Sequence, residues 1–141
     1  MKKYRIGYTQ GVFDMFHIGH LNLLNNAKKY CEYLIVGINT DRLVREYKNK
    51  NTIIPEKDRA SIVEAIKAVD KVILADTLNK DEMLNNINFD VIFIGNDWED
   101  NPRWVKTKND MSKHGIDVVF LPYTEGISST KLREELKKNE D

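Results

Sequence analysis

A single cysteine, Cys31, stands in a chain of 141 residues, so no internal disulfide can close and no cysteine cluster can hold a metal. Cys31 reads instead as a small buried apolar residue. No apolar stretch approaches the roughly 20 residues that a membrane-spanning helix needs. The opening Met1-Lys2-Lys3-Tyr4-Arg5-Ile6-Gly7 lacks the apolar run of a secretory signal. Net charge is missing as well. With 22 Lys and Arg against 22 Asp and Glu, the surface as a whole exerts no pull on nucleic acid or on an anionic membrane. There is no internal repeat, no low-complexity tract and no linker that would divide the chain into separate domains. What is present is 41% hydrophobic residues, enough for a core, and 31% charged residues, enough to solvate an exterior. The expectation is one cytoplasmic domain over residues 1–141, with no nucleic-acid and no membrane partner.

The apolar period switches repeatedly between strand-like and helix-like. Tyr4, Ile6 and Tyr8 alternate toward Gly11 as a first strand, and Leu21, Leu24 and Ala27 follow at helical spacing. Leu34-Ile35-Val36-Gly37-Ile38 is a nearly unbroken apolar run, the pattern of a strand covered on both faces. Thr40 or Asp41 caps a brief helix, and residues 47–52 form a polar loop. Pro55 takes the first position of a helix with Ile62, Val63, Ile66 and Val69 on one face. Three more strands are read at Val72-Ile73-Leu74, Val91-Ile92-Phe93-Ile94 and Val118-Val119-Phe120-Leu121. Helices are read around Met83, Leu84 and Ile87, around Trp104, Val105, Lys108 and Met111, and over about 129–139. This alternation predicts an α/β, Rossmann-like, doubly wound sheet of five parallel strands. Ligands of such sheets lie at the carboxyl ends of the strands.

The residues at those ends carry chemistry. Gly11-Val12-Phe13-Asp14-Met15-Phe16-His17-Ile18-Gly19-His20 joins the first strand to the first helix. Two histidines three apart at a helix start project to one side. Gly19 leaves the backbone open to a ligand, and first-turn amides favour phosphate. Imidazoles there donate to the oxygens of a phosphoryl group in transfer. Two other readings stay open at this point: histidines that merely cap the helix, and a histidine pair that joins Asp14 on a divalent ion. Ser128, Ser129 and Thr130 open the last helix, either as a second phosphate cradle or as a simple cap.

Together with Tyr123-Thr124-Glu125-Gly126-Ile127-Ser128-Ser129-Thr130, the first motif resembles the cytidylyltransferase branch of the HxGH nucleotidyltransferase superfamily, whose second signature usually reads RTEGIST. Gly95-Asn96-Asp97-Trp98-Glu99 is similar to the GDDWEG segment of the bacterial glycerol-3-phosphate cytidylyltransferases, the subgroup the chain looks most like, and the resemblance spans essentially all of it. It implies transfer of CMP from CTP to a phosphorylated alcohol, first of all glycerol 3-phosphate. The products would be CDP-glycerol and pyrophosphate, with Mg²⁺ on the triphosphate and a teichoic acid or capsule as destination. Catalytic roles are implied for His17, His20, Lys48 and Arg59. Contacts with CTP are implied for Gly11, Val12, Phe13, Asp14, His17, Gly19, His20, Asp97, Trp98 and each residue from Tyr123 to Thr130. Lys48, Lys50 and Lys67 are expected at the acceptor, and Asp14 orients a histidine, supports the metal or only forms the turn. The resemblance also implies a homodimer.

One position departs from the pattern. Tyr123 stands where the signature has arginine, which removes a permanent charge and a bidentate phosphate donor. Either Lys48, Lys50, Arg59 or Arg133 supplies the missing charge, or the acceptor differs. An ATP-using adenylyltransferase of a sugar phosphate or flavin precursor is the nearest rival, and a nucleotide-binding module without turnover is the non-enzymatic one. His17-Ile18-Gly19-His20 is also the signature of class I aminoacyl-tRNA synthetases, but the length and neutral charge do not fit an RNA-binding enzyme of that kind. If the resemblance holds, zero net charge is an average over a cationic cleft and an acidic remainder.

Overall fold

Five strands lie parallel in the order β3-β2-β1-β4-β5 in a computed structural model that describes residues 2–122 and 128–138. They are β1 (Tyr4–Gly11), β2 (Cys31–Asn39), β3 (Lys71–Ala75), β4 (Val91–Gly95) and β5 (Asp117–Leu121). Between them run α1 (Ile18–Lys28), α2 (Asp41–Lys48), α3 (Glu56–Glu64), α4 (Lys80–Met83) and α5 (Pro102–Ser112), and α6 (Ser129–Lys138) follows β5. The chain starts at the centre, runs outward through β2 and β3, then crosses to β4 on the other side of β1. The strand order therefore reverses between β1 and β4, where such sheets open a crevice.

Each face of the sheet has its own core. Leu34, Val36 and Ile38 of β2 join Phe13, Leu24, Ala27 and Val63 on the face covered by α1 and α3. Tyr8, Ile35 and Ile92 join Met83, Phe89, Trp104 and Met111 on the face covered by α4 and α5. Alternation along β1 and β2 sends successive side chains to opposite faces, so unbroken apolar runs were required. Cys31 is fully buried, and burial is the largest influence raising its thiol.

Close approach explains two glycines. A Cβ at Gly7 would come within 2.5 Å of Phe93 Cε2 and 2.8 Å of Cys31 Sγ, and one at Gly37 would collide with the Tyr8 hydroxyl. That hydroxyl donates to Gln10 Oε1 at 2.7 Å, and Gln10 Nε2 donates to Asn39 Oδ1 at 2.8 Å and to the Thr77 carbonyl at 2.9 Å. Asn39 Nδ2 in turn donates to Tyr47 Oη at 3.1 Å. A buried polar chain thus ties together the carboxyl ends of β1 and β2 and the loop after β3.

Three local differences from the sequence reading have simple causes. Pro55 occupies the position before α3 rather than its first helical residue. α2 extends through Lys48, and Asn49 then ends it in the left-handed region at φ 53°. α4 is a four-residue turn capped by Asn79, whose side chain accepts from the Asp81 and Glu82 amides, so Leu84 and Ile87 pack from beyond its end. No helix among the described residues is long and apolar enough to cross a membrane.

Candidate active site

The loop after β1 is held in a conformation that its sequence alone disfavours. Phe13 and Met15, neither of them glycine, have φ of 54° and 48°. Phe13 is anchored by burial of its ring in the core. Asp14 is anchored by hydrogen bonds: its carboxylate accepts from the Ile53 and Ile54 amides at 2.8 and 2.9 Å and pairs with Arg133 of α6. The Asp14 carbonyl accepts from Ser129 Oγ at 2.5 Å. These bonds draw the start of α6 against the start of α1.

At the head of α1 the two histidines form a reciprocal cap. The Gly19 amide donates to His17 Nδ1 at 3.1 Å, and the His17 amide donates to His20 Nδ1 at 3.2 Å. The rings stack with centroids 3.8 Å apart, and His20 lies 5.2 Å from Phe13 and 5.3 Å from Phe16. Because each Nδ1 accepts, each neutral ring carries its proton on Nε2. Capping and donating are therefore divided between the two nitrogens, so a helix cap and a hydrogen-bond donor coexist in one ring.

Burial, then the neighbouring His17, push His20 down to about 4 against a smaller upward pull from Asp14; burial lowers His17 also. A histidine depressed in the fold contributes stability that is present above its ordinary value of 6.5 and lost as pH falls toward about 4. Over that window the parent is expected to lose melting temperature more steeply than His20→Gln, as scanning calorimetry at a series of pH values would show. Parallel curves would mean that His20 titrates normally.

These elements surround a cavity of about 330 Å³. It brings together Gly11, Val12, Phe13, Asp14, His17, Gly19, His20, Lys48, Lys50, Asp97, Trp98, Ser128, Ser129 and Thr130, all expected from sequence. Residues 123–127 fall outside the described residues, and with them the expectations for Tyr123, Thr124, Glu125, Gly126 and Ile127. Asp97 and Trp98 sit on a 3-10 turn directly after β4, and burial raises the Asp97 carboxyl. Burial, reinforced by Lys50 and Arg133, lowers Lys48. Among the described lining residues five lysines and arginines (Lys48, Lys50, Lys80, Arg103, Arg133) face two aspartates. Asp14 is already engaged, so the described lining is cationic inside a chain of zero net charge.

Three expectations are corrected. Arg59 does not face the cavity: it is fully buried, and its guanidinium donates to the carbonyls of Ile54, Val12 and Asn39 and to Asp41 Oδ1 at 2.6 to 2.9 Å. Its fork is consumed by the fold. Lys67 is exposed in the turn before β3, at the amino end of a parallel sheet and away from the cavity. Asp14 has both carboxylate oxygens committed to amides and Arg133, which suits a turn and not a metal ligand. No cluster of three His, Cys, Asp or Glu among the described residues is arranged to hold a metal.

Sequence reasoning missed Gln10, Asn39, Tyr47, Lys80 and Arg103 as lining residues, and took Trp104 for helix packing alone. Lys80 is the least expected. It is 5% exposed, its Nζ donates to the Leu78 carbonyl at 2.9 Å, and it lies 5.2 Å from the Trp104 ring. Burial, then Arg103, lower it to about 7.

The sequence profile of the cytidylyltransferase-like family matches residues 8–135. The chain belongs to that family. It is 40% identical to glycerol-3-phosphate cytidylyltransferase of Bacillus subtilis over 129 residues, 91% of this chain and 94% of that protein. It is 38% identical over 131 residues to the bifunctional protein HldE of Koribacter versatilis, covering 92% of this chain but only 26% of that longer relative. Among solved structures, a lipopolysaccharide core biosynthesis protein of Thermoplasma volcanium superposes with a TM-score of 0.71 at 25% identity, over 86% of this chain and 97% of that one. A cytidylyltransferase-like chain acts on a nucleotide and a phosphorylated substrate, and the cavity at the β1–β4 crevice has the charge for both.

Proposed function

We propose that this cavity transfers CMP from CTP to a phosphorylated alcohol, glycerol 3-phosphate first among them. An oxygen of the acceptor phosphate bonds to the α-phosphorus of CTP as the α–β bridging bond breaks, and pyrophosphate leaves with that electron pair. The acceptor phosphate is already an oxyanion near neutral pH, so no general base is required. Catalysis then consists of alignment and of stabilising charge at the reacting phosphates. The observation that carries this reading is the histidine pair, whose Nδ1 atoms are both engaged by backbone amides, leaving two Nε2–H donors at a cationic cavity.

In this scheme His17 and His20 donate to the α-phosphate and the departing pyrophosphate. Lys48, Lys50 and Arg133 offset charge, and Arg133 stands in for the arginine that Tyr123 replaces in the second signature. Ser128, Ser129 and Thr130 cradle phosphate at the head of α6, and Asp97 and Trp98 meet the nucleoside, with residues 123–127 completing the CTP site. Mg²⁺ enters with the triphosphate as part of the substrate and neutralises its charge. The enzyme works as a cytoplasmic homodimer whose product supplies a surface polymer.

Identity of 40% to one relative and 38% to another of different name makes nucleotide choice the decisive measurement. Pyrophosphate release is expected with CTP and glycerol 3-phosphate, and to be much weaker with ATP. A preference for ATP would replace this reading with adenylyl transfer. CTP binding without pyrophosphate release from any phospho-alcohol would make the chain a nucleotide-binding module.

A further inference from the structure

The buried polar chain behind the cavity runs in one direction. That direction is set at the Thr77 carbonyl, which can only accept. Gln10 Nε2 donates to it at 2.9 Å, so the nitrogen of this amide is fixed, and its second hydrogen goes to Asn39 at 2.8 Å. The atom of Asn39 that receives it must be Oδ1, which turns Nδ2 toward Tyr47 Oη at 3.1 Å. On the other side Gln10 Oε1 accepts from the Tyr8 hydroxyl at 2.7 Å. Tyr8, Gln10 and Asn39 are at most 9% exposed, so bulk water does not compete for these bonds.

The chain of bonds ends at Tyr47. This residue lies in the last turn of α2, half-buried, and lines the cavity beside Lys48. Its oxygen accepts from Asn39, and its one hydrogen has no acceptor among the described residues. Burial is the largest influence on the phenol and raises it, against smaller downward pulls from Asn39, Arg103 and Arg59, so the hydroxyl keeps its proton at neutral pH. Lys48 Nζ lies 5.7 Å from the ring. A neutral donor set among cations at a cavity wall suits an anionic oxygen.

We infer that Tyr47 donates a hydrogen bond from its hydroxyl to a phosphate oxygen of the bound substrate, and that Tyr8, Gln10 and Asn39 are positioning residues that hold this donor toward the cavity. The phosphate rests on the transfer reading above; the direction of the donor rests on the four bonds of the chain alone. A free hydroxyl presents its proton or its lone pairs alike. One whose oxygen is held by an amide N–H turns its hydrogen outward, and an anion then meets a donor that needs no reorientation.

Two substitutions separate the donor from the chain that aims it. Tyr47→Phe keeps the ring and removes only the hydroxyl. Asn39→Asp still accepts from Gln10 but offers Tyr47 an acceptor, so the hydroxyl stays and its hydrogen turns inward. Arg59, which donates to the Asn39 carbonyl, offsets part of the new charge. Pyrophosphate release from CTP with glycerol 3-phosphate is followed in both, with thermal melts alongside. Each variant is expected to lose about 10- to 100-fold in kcat/KM, and the double variant no more than either single one, because both remove the same bond. Independently of turnover, the parent labelled with carbon-13 at tyrosine Cζ is titrated with CTP and, loaded with a non-hydrolysable CTP analogue, with glycerol 3-phosphate. The resonance that Tyr47→Phe deletes should shift with one of the two, which identifies the phosphate that accepts. Parent-like kcat/KM in Tyr47→Phe overturns the inference, as does a resonance that neither ligand moves. Parent-like kinetics in a folded Asn39→Asp, or full additivity in the double variant, overturns the positioning role; should Asn39→Asp not fold, Tyr47→Phe and the labelled parent decide. Absence of pyrophosphate release from the parent with any phospho-alcohol would count against the transfer reading, and the labelled titration would then judge the Tyr47 donor by itself.

Discussion

His17→Asn is expected to fold with the stability of the parent and to lose about 10²–10³ of kcat/KM. Asparagine is among the best N-caps, so its side-chain oxygen replaces Nδ1 as acceptor for the Gly19 amide. What it lacks is a donor at the far side of a ring. His20→Gln makes the complementary test, because glutamine at the third helical position is the usual reciprocal partner in a capping box and preserves the bond from the His17 amide. If the donors act on charge that develops during transfer, both variants lower kcat and kcat/KM together and leave CTP binding nearly intact. Steady-state kinetics with matched denaturant melts would decide. Parent-like turnover in both variants would reduce the pair to a helix cap.

Arg59→Met should act on stability and not on the chemical step. The arginine joins the loop after β1, the end of β2 and the segment before α3 through carbonyls of Val12, Asn39 and Ile54, and it neutralises Asp41. The fork on Arg59 lowers the Asp41 carboxyl against the upward push of burial, which is the larger single influence. Removing the charge from a fully buried site takes this donor from three carbonyls and leaves Asp41 with Thr52 Oγ1 and the Glu56 amide but no cation, at a cost of about 3–5 kcal/mol. Arg59→Lys should rescue little, since an ammonium cannot reproduce the fork. Urea titration followed by circular dichroism is the measurement. A variant that unfolds with the parent yet shows a raised KM for CTP would return Arg59 to the phosphates.

These two residues also show what was legible in the sequence. The sheet was, because strands buried on both faces must be apolar throughout, and Leu34 to Ile38 and Val91 to Ile94 have no other use for such runs. The histidines were legible because their spacing and the glycine between them have a local meaning. Arg59 was misplaced because its partners are backbone carbonyls, which leave no mark on composition and lie up to 47 residues away. Lys67 was misplaced because resemblance assigns a role to a position, whereas the turn before β3 puts it at the amino end of the sheet. Lys80 was invisible for a third reason. Its neighbours Asn79 and Asp81 are polar, and its burial beside the Trp104 ring of α5 is a tertiary contact that local sequence does not record.

The carboxylate of Asp14 joins three segments of the mouth: the turn after β1, the Ile53-Ile54 backbone and α6 through Arg133. A single buried carboxylate therefore ties together three stretches of chain up to 119 residues apart. If the proposed function holds, a phosphate that recruited Arg133 would have to compete with that anion.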